Sequence, residues 1–323
     1  MVRTSPGLRS HSLKDTVALV AAVIALAAGS VASTQSRIKV LLVTGQSNRY
    51  HNWEVSSPIV KRLLEDSGRF AVTVATTPPK GAAPNQDMSG FAPKFSDYQA
   101  VVLDYEGFEF APAIKQSFVD YVKNGGGLVV LHAADNAFPG WAEFNEMIGV
   151  GGWGGFTPGY ANRTQASGPK IRWRDGGLVL DNDTPGTAQH PSPHDFLMTD
   201  RAPGHPIMKG LPPAWLHAND ELYSNLRGPA KNVTILATAT APTSMQNGTG
   251  ENEPLLMAIT YGKGRVFHDT LGHVGATQKE PIVSMASVDY IVLLQRGTEW
   301  AATGAVTIPV PRDFPSADKT STR

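Results

Sequence analysis

The segment GGGLVVLHAADNAF, residues 125–138, decides the fold class. Three glycines precede the apolar run 128–131, which is typical of a strand buried on both faces, and polar residues follow it. His132 stands where this predicted strand ends. Ligands of open α/β sheets bind beyond the carboxyl ends of the strands, so His132 is a candidate site residue. The alternative is a hydrogen-bonded core histidine.

Similar apolar runs precede this segment and alternate with helical patterns. Residues 37–45, 70–77 and 98–107 indicate strands, whereas the spacing of apolar residues predicts helices over 57–67 and 112–123. This alternation favours an α/β fold with a mostly parallel central sheet covered on both faces. The pattern loosens over 149–210, which we interpret as an insertion over one end of the sheet.

Regular structure resumes in the last third of the chain. Residues 232–240 and 253–269 predict further strands, and a final helix is expected over about 283–297. The polar residues 303–323 form a C-terminal tail that we expect to be mobile.

Composition excludes several classes of protein. The 323 residues carry no net formal charge, and 41% of them are hydrophobic. Balanced charge gives no reason to expect binding to nucleic acid or to an acidic membrane surface. The chain has no cysteine, which excludes disulfides, thiolate metal sites and a cysteine nucleophile.

The N-terminal residues have the pattern of a signal peptide. A basic region precedes the apolar run 16–32, and the small residues Ser30 and Ala32 fit cleavage before Ser33. We therefore expect residues 1–32 to be removed, with no stable membrane insertion afterwards and a periplasmic or secreted mature protein. An uncleaved anchor is the alternative, although the run is short for a membrane span.

Polar and aromatic residues follow several of the predicted strands. His51 and Trp53 follow the first strand, and Glu106 with Asp104 follows the third. Such residues suit general acid–base work or the recognition of sugar hydroxyls, while capping and loop packing are the structural alternatives.

Two later segments add further candidates. HANDELYSN, residues 217–225, brings Asp220, Glu221 and Tyr223 close together, and VFHDTLGH supplies His268 and His273. Separated histidines and carboxylates of this kind could assemble a mononuclear metal site, for example for zinc. No HExxH, GxSxG or Walker motif is present, and the GxGxxG match at 149–154 lacks the strand-to-helix context.

Several segments together resemble the trehalose-utilisation (ThuA-like) family. They occur in the order typical of the family and cover roughly residues 38–302, so that we interpret 37–302 as a ThuA-like domain. The matching segments are KVLLVTGQSNRYHNW, DYEG, YVKNGGGLVVLHAADNAF, WAEFNEMIGVGG, HPIMKGLPPAWLHANDELYSN, GKGRVFHDTLGH and LLQRGTEWAA.

The resemblance implies a flavodoxin-like three-layer sandwich of the class I glutamine amidotransferase-like kind. In that superfamily a cysteine nucleophile follows the strand that ends here in LVVLH, but this chain has His132–Ala133 at that point. The resemblance therefore implies no Cys-dependent amidotransferase activity. Recurrent polar positions of the family match His51, Glu106, His132, Asp220, Glu221 and His273.

By resemblance the family is associated with disaccharide and keto-sugar metabolism, and two hypotheses follow. The first is an exported sugar-directed hydrolase or lyase, with a small carbohydrate as its partner and a homo-oligomer as an open possibility. The second is a non-catalytic sugar-binding module, and a degenerate scaffold without ligand is a third option. For the enzyme, the residues expected in the site are catalytic His132, His51 and Glu106, substrate-binding Trp53, Trp141, Asp220 and Tyr223, and the metal ligands His132, Glu221 and His273.

Overall fold

The computed structural model describes residues 1–3, 7, 36–78, 88, 90–152, 168–184 and 186–323. Most of the predicted signal peptide, including its apolar run and cleavage site, lies outside the described residues. Within the described part of the chain, no helix is both long enough and apolar enough to cross a membrane. The described residues between Arg37 and Arg323 form one compact unit.

The described helices and strands agree with the sequence pattern over the first half of the chain and extend it in the second. The strands are β1 (Ile38–Thr44), β2 (Phe70–Thr76), β3 (Ala100–Leu103), β4 (Gly127–Leu131), β5 (Lys170–Arg174), β6 (Gly177–Asp181), β7 (His194–Asp200), β8 (Ala214–Asp220), β9 (Val233–Ala239), β10 (Glu253–Tyr261) and β11 (Gly264–Asp269). The α-helices are α1 (Trp53–Asp66), α2 (Pro112–Lys123), α3 (Ala142–Ile148), α4 (Val283–Ala286) and α5 (Val288–Thr303).

The large sheet is mixed, so the expected parallel arrangement is confirmed for one half of the sheet only. Its order is β2-β1-β3-β4-β11-β10-β9-β7-β8, while β5 and β6 pair separately. Neighbouring strands from β2 to β11 are parallel, and those from β11 to β8 are antiparallel. The direction reverses because the short turn at Gly262–Lys263 joins β10 directly to β11, whereas parallel neighbours need a long crossover.

Helices pack on both faces of the sheet at β11. The backbone of α5 at Gly297 lies against the ring of Phe267, whereas His268 Nδ1 donates to the carbonyl oxygen of Ile148 at the end of α3 (3.0 Å). Consecutive side chains of a strand point to opposite faces, so α5 and α3 cover opposite sides of β11. The buried apolar runs of β1, β3 and β4 form the middle of this core.

The packing of α5 on β11 depends on a glycine. A Cβ atom added at Gly297 would lie 2.0 Å from Cδ1 of Phe267. We expect Gly297→Ala to lower the free energy of unfolding by about 1–3 kcal/mol, because the helix must move away from the strand. Gly177→Ala is the matched control, since a Cβ there meets nothing within 4 Å. Equal chemical denaturation midpoints for the two variants would contradict this account.

The β7–β8 ribbon (His194–Asp200 and Ala214–Asp220) is the part of the sheet that the sequence pattern did not predict. It joins β9 through only two residue pairs, Thr199 with Thr238 and Asp200 with Ala237. In a flat sheet β8 would lie about 19 Å from β11, four strand spacings away. Yet the amide of Gly272, just after β11, donates to Asp220 Oδ2 at 2.6 Å. The antiparallel half therefore curves back toward the end of the parallel half.

The C-terminal tail is attached to the fold, so the expectation of a mobile tail is wrong. Leu216 on β8 donates its amide to the carbonyl oxygen of Ser316 at 2.8 Å, and the ring of Phe314 packs on Trp215. The amide of Val288 donates to the carbonyl oxygen of Ser321 at 2.9 Å. The tail covers β8, which is the edge strand of the sheet, and an edge strand gains from such cover.

Candidate functional site

Four metal-ligating side chains converge beyond the ends of strands that lie far apart in the chain. His51 follows β1, His132 follows β4, His273 follows β11 and Glu221 follows β8. One ligand atom of each lies within 4.8 Å of those of the others, and we call this group the donor cluster. His132 adopts a φ of 43°, a left-handed conformation that is rare outside glycine and typical of functional sites.

The hydrogen bonds of His132 fix which of its nitrogens faces the cluster. Its Nδ1 lies 2.7 Å from the carbonyl oxygen of Thr270, so Nδ1 carries the hydrogen. Its Nε2 therefore has a lone pair, which accepts the hydroxyl of Tyr223 at 2.9 Å. The same Nε2 lies 3.1 Å from His273 Nδ1 and 3.7 Å from Glu221 Oε2.

The other side of the cluster is built around His51. Its Nδ1 lies 3.0 Å from Asn48 Oδ1 and 3.5 Å from Glu106 Oε2, both of which are acceptors. Its Nε2 points to the Tyr223 hydroxyl at 3.5 Å. Glu106 thus stands behind His51 as an orienting carboxylate, an arrangement common behind metal-binding histidines.

Burial favours the neutral, ligand-ready form of two histidines of the cluster, His132 and His273. Burial, together with the nearby His273 and His51, lowers the pKa of His132 well below its usual value. Burial likewise lowers the pKa of His273 to about 4, and it raises the pKa of Glu221, next to Asp220, to about 8. The site therefore offers the neutral imidazoles of His132 and His273 beside the titratable carboxyl group of Glu221.

The donor set fits a small divalent cation. Ligand atoms about 2.0–2.1 Å from a tetrahedral zinc ion lie about 3.3 Å from one another. The separations of 3.1 Å between His273 Nδ1 and Glu221 Oε2, and of 3.7 Å between Glu221 Oε2 and His132 Nε2, are near that value. Imidazole nitrogens with one carboxylate oxygen are also ligands that zinc prefers.

Three members of the cluster, His51, Glu221 and His273, line an open cleft of about 500 Å³, and His132 lines an adjoining small cavity that His51 also lines. Tyr50, half exposed, stands at the edge of the cleft, and His190 reaches Glu221 across it with Nε2 3.5 Å from Oε2. Four side-chain amides also line the cleft. This amide rim consists of Asn48, Asn136, Gln189 and Asn247.

The structure brings together His51, His132, Glu106, Glu221, His273 and Tyr223 but places three other candidates elsewhere. Trp141, predicted as a sugar platform, is only 3% exposed and stacks on Phe144 in the aromatic core. Trp53, the other predicted platform, begins α1 and lines a small cavity of about 20 Å³ instead of the cleft. Asp220 lies behind the cluster and is 1% exposed, so it does not meet a ligand in the cleft.

The remaining strand-end candidates have structural partners. Asp104 accepts hydrogen bonds from Ser56 at 2.6 Å and Ser57 at 2.5 Å, and burial raises its pKa. His268 is fully buried on β11. Sequence reasoning missed Tyr50, His190 and the four residues of the amide rim. These residues lie outside the strands and have no regular spacing in the sequence.

Comparison with known proteins gives the same assignment for most of the chain. The family described as ThuA, Trehalose utilisation, matches residues 39–301. The crystal structure of a ThuA-like protein from Parabacteroides merdae is 46% identical, with a TM-score of 0.81 over 89% of this chain and 98% of that one. A ThuA-like protein from Bacteroides uniformis shares the fold at 15% identity, with a TM-score of 0.50 over 85% of this chain and 95% of that one.

No curated protein matches the chain. The family match covers well over half of the chain, and the Parabacteroides merdae relative is similar over nearly its whole length. The chain therefore belongs to the ThuA (Trehalose utilisation) family.

Proposed function

We propose that the protein is a metal-dependent enzyme that acts on a small carbohydrate, a disaccharide or a keto-sugar. The observation that carries this proposal is the convergence of four metal-ligating side chains, three of which line a cleft that four side-chain amides also line. The cleft volume of about 500 Å³ lies in the range of small-molecule sites. The family description, Trehalose utilisation, supports a sugar as the substrate.

The residues have separable roles in this proposal. His51, His132, Glu221 and His273 hold a divalent cation such as zinc, which when bound acts as a Lewis acid toward an oxygen of the sugar. Glu106 orients His51, and the Tyr223 hydroxyl positions a substrate oxygen or supplies a proton to it. The amide rim binds sugar hydroxyls, because amides offer both donors and acceptors.

The test starts from protein purified without added metal and without a histidine tag. Its metal content is measured by mass spectrometry, and disaccharides and their keto forms are then incubated with the metal-loaded and the chelated protein. We expect stoichiometric metal and a product that forms only with the loaded protein. A sugar that binds saturably but is recovered unchanged would favour a non-catalytic sugar-binding module. Absence of both metal and sugar binding would reject both functions.

Replacing an aromatic residue should have different effects in the cleft and in the core, and Tyr50 and Trp141 allow a direct comparison. Tyr50→Ala should weaken sugar binding about threefold to tenfold through the lost ring contact, with little change in stability. Trp141→Ala should lower the free energy of unfolding by about 3–5 kcal/mol, because the ring is buried among other aromatics, while sugar affinity is kept. Calorimetric titration and denaturation of both variants check this, and a loss of sugar affinity confined to Trp141→Ala would contradict it.

We also propose that the protein is exported, since a basic region followed by an apolar run opens the chain. Its location would then be periplasmic or extracellular. We propose a flavodoxin-like, class I glutamine amidotransferase-like sandwich for the half of the fold around β1, β3 and β4, where helices and parallel strands alternate. Fractionation of cells with an antibody to the protein tests export.

A further inference from the structure

A chain of buried charged groups lies directly behind the donor cluster. His217 on β8 stands between two carboxylates, with Nε2 2.9 Å from Asp220 Oδ2 and Nδ1 2.8 Å from Asp289 Oδ2. All three side chains are buried. Since each ring nitrogen of His217 faces a carboxylate oxygen, both nitrogens donate and the ring is an imidazolium.

Asp289 is itself held firmly at the beginning of α5. Its Oδ2 accepts a second hydrogen bond from Trp215 Nε1 at 2.8 Å, and its Oδ1 accepts one from the Ser287 hydroxyl. The ribbon and α5 are therefore joined through one carboxylate. The consequence is that His217, and through it Asp220, has a fixed position.

Asp220 uses its remaining acceptor capacity on the backbone of the cluster. Its Oδ1 accepts the amides of Glu221 at 2.8 Å and His273 at 3.0 Å, and its Oδ2 accepts the amide of Gly272 at 2.6 Å. Glu221 follows β8 and His273 follows β11, so a single carboxylate holds the backbone of two members of the cluster that come from opposite halves of the sheet.

From this geometry we propose that Asp220 is a positioning residue, which sets the distance between Glu221 and His273 and so prepares the cluster for its metal ion. The part of this inference that concerns metal binding rests on the proposed function. The part that concerns the backbone of Gly272 and His273 does not. Positioning groups of this kind typically change metal affinity by about 10–100-fold when they are replaced.

The variant Asp220→Asn keeps the shape of the side chain. Each oxygen of Asp220 accepts two N–H groups, so an amide nitrogen in either place would face two donors. Glu299→Gln is the matched control. Glu299 is also fully buried and binds Arg69 and Thr307, but it lies on α5 outside the cluster.

Two measurements are made on the wild type and on both variants. The first is zinc affinity by competition with a chromophoric chelator, accompanied by the visible spectrum of the Co²⁺-loaded protein. The second needs no metal and is amide hydrogen exchange of Gly272 and His273 relative to the core strands. We expect Asp220→Asn to bind zinc about 10–100-fold more weakly, to change the Co²⁺ spectrum and to exchange faster at these two amides. Glu299→Gln should lower stability only.

Each result decides one proposal. If Asp220→Asn binds zinc like Glu299→Gln and gives the wild-type Co²⁺ spectrum, the positioning role is overturned. If the wild type binds no metal, the proposed metal site is overturned instead, and the exchange data alone decide the positioning role. In that case, faster exchange confined to Gly272 and His273 in Asp220→Asn supports the role, and unchanged exchange rejects it.

Discussion

Replacing His132 by alanine is expected to lower the affinity for zinc by roughly 100-fold or more. Structural zinc sites contribute about 10–16 kcal/mol, so that one of four ligands accounts for about 3 kcal/mol. His132 is the most deeply buried histidine of the cluster, and its Nε2 lies within 3.7 Å of both His273 and Glu221. Competition titration with a chromophoric chelator measures the change.

Two further variants control for the loss of any histidine and for misfolding of the His132→Ala variant. His194→Ala removes a half-buried histidine of β7 that lies outside the cluster, so we expect wild-type affinity for zinc. His273→Ala removes a more exposed ligand and should reproduce the loss even if the buried His132→Ala variant folds poorly. Zinc affinity equal to that of the wild type in both His132→Ala and His273→Ala would rule out the proposed metal site.

The second large effect is expected at Asp289, which ends the chain of buried charged groups formed by Asp220, His217 and Asp289. Asp289→Asn keeps the shape of the side chain, but it replaces one acceptor oxygen by an amide nitrogen and removes one of the two charges that stabilise the His217 imidazolium. Removing one partner of a buried ion pair costs about 3–5 kcal/mol, which for a chain of this size lowers Tm by roughly 10 °C. Asp318→Asn, at an exposed position, is the control and should change Tm by little.

The destabilisation by Asp289→Asn should also depend on pH. Burial opposes the charge on His217, but Asp289 and Asp220 raise its pKa to about 10, above the 6.5 of an ordinary histidine, and Asp269 adds a third carboxyl nearby. A raised pKa contributes stability that is complete below about 6.5 and is lost as pH rises through about 10. The difference between wild type and variant should therefore be largest near pH 6 and shrink toward pH 10. A difference that grows with pH in urea denaturation would contradict this.

The parallel half of the fold could be predicted from sequence because its signals are local. The strand ending at Leu131 and the helix Pro112–Lys123 were predicted nearly as they stand, since an unbroken apolar run and a proline at the first turn are strong signals. The polar residues at the ends of these strands meet because parallel strands place their carboxyl ends at one edge.

The contribution of β8 could not be predicted in the same way. Its sequence AWLHAND contains buried His217 and Asp220, whose burial depends on Asp289, a residue far away in the chain. Alternation of apolar and polar residues therefore fails to mark it as a strand. Nothing in the local sequence shows that the antiparallel half curves back, and this curvature is what brings Glu221 to the histidines.

Aromatic residues show the same limit. A tryptophan near a polar loop is a reasonable platform for a sugar, but Trp141 reaches the core because Phe138 and Phe144 surround it. Tyr50, which does stand at the cleft, lies between polar neighbours and has no pattern to distinguish it. Only the three-dimensional arrangement separates a buried ring from an exposed one.

The narrow junction between β7 and β9 has a consequence for how a bound ion would enter and leave. The ribbon opens when the two residue pairs between β7 and β9 break together with the bonds of His217 to Asp289 and of Asp220 to Gly272, a local step that needs less free energy than global unfolding. An ion held by Glu221 on one side and by the histidines on the other would lower the equilibrium population of the open state by the factor 1 + [L]/Kd. The lifetime of the bound metal then depends on how often β8 opens locally, and substitutions at Thr199 or Thr238 are expected to shorten it although neither residue is a ligand.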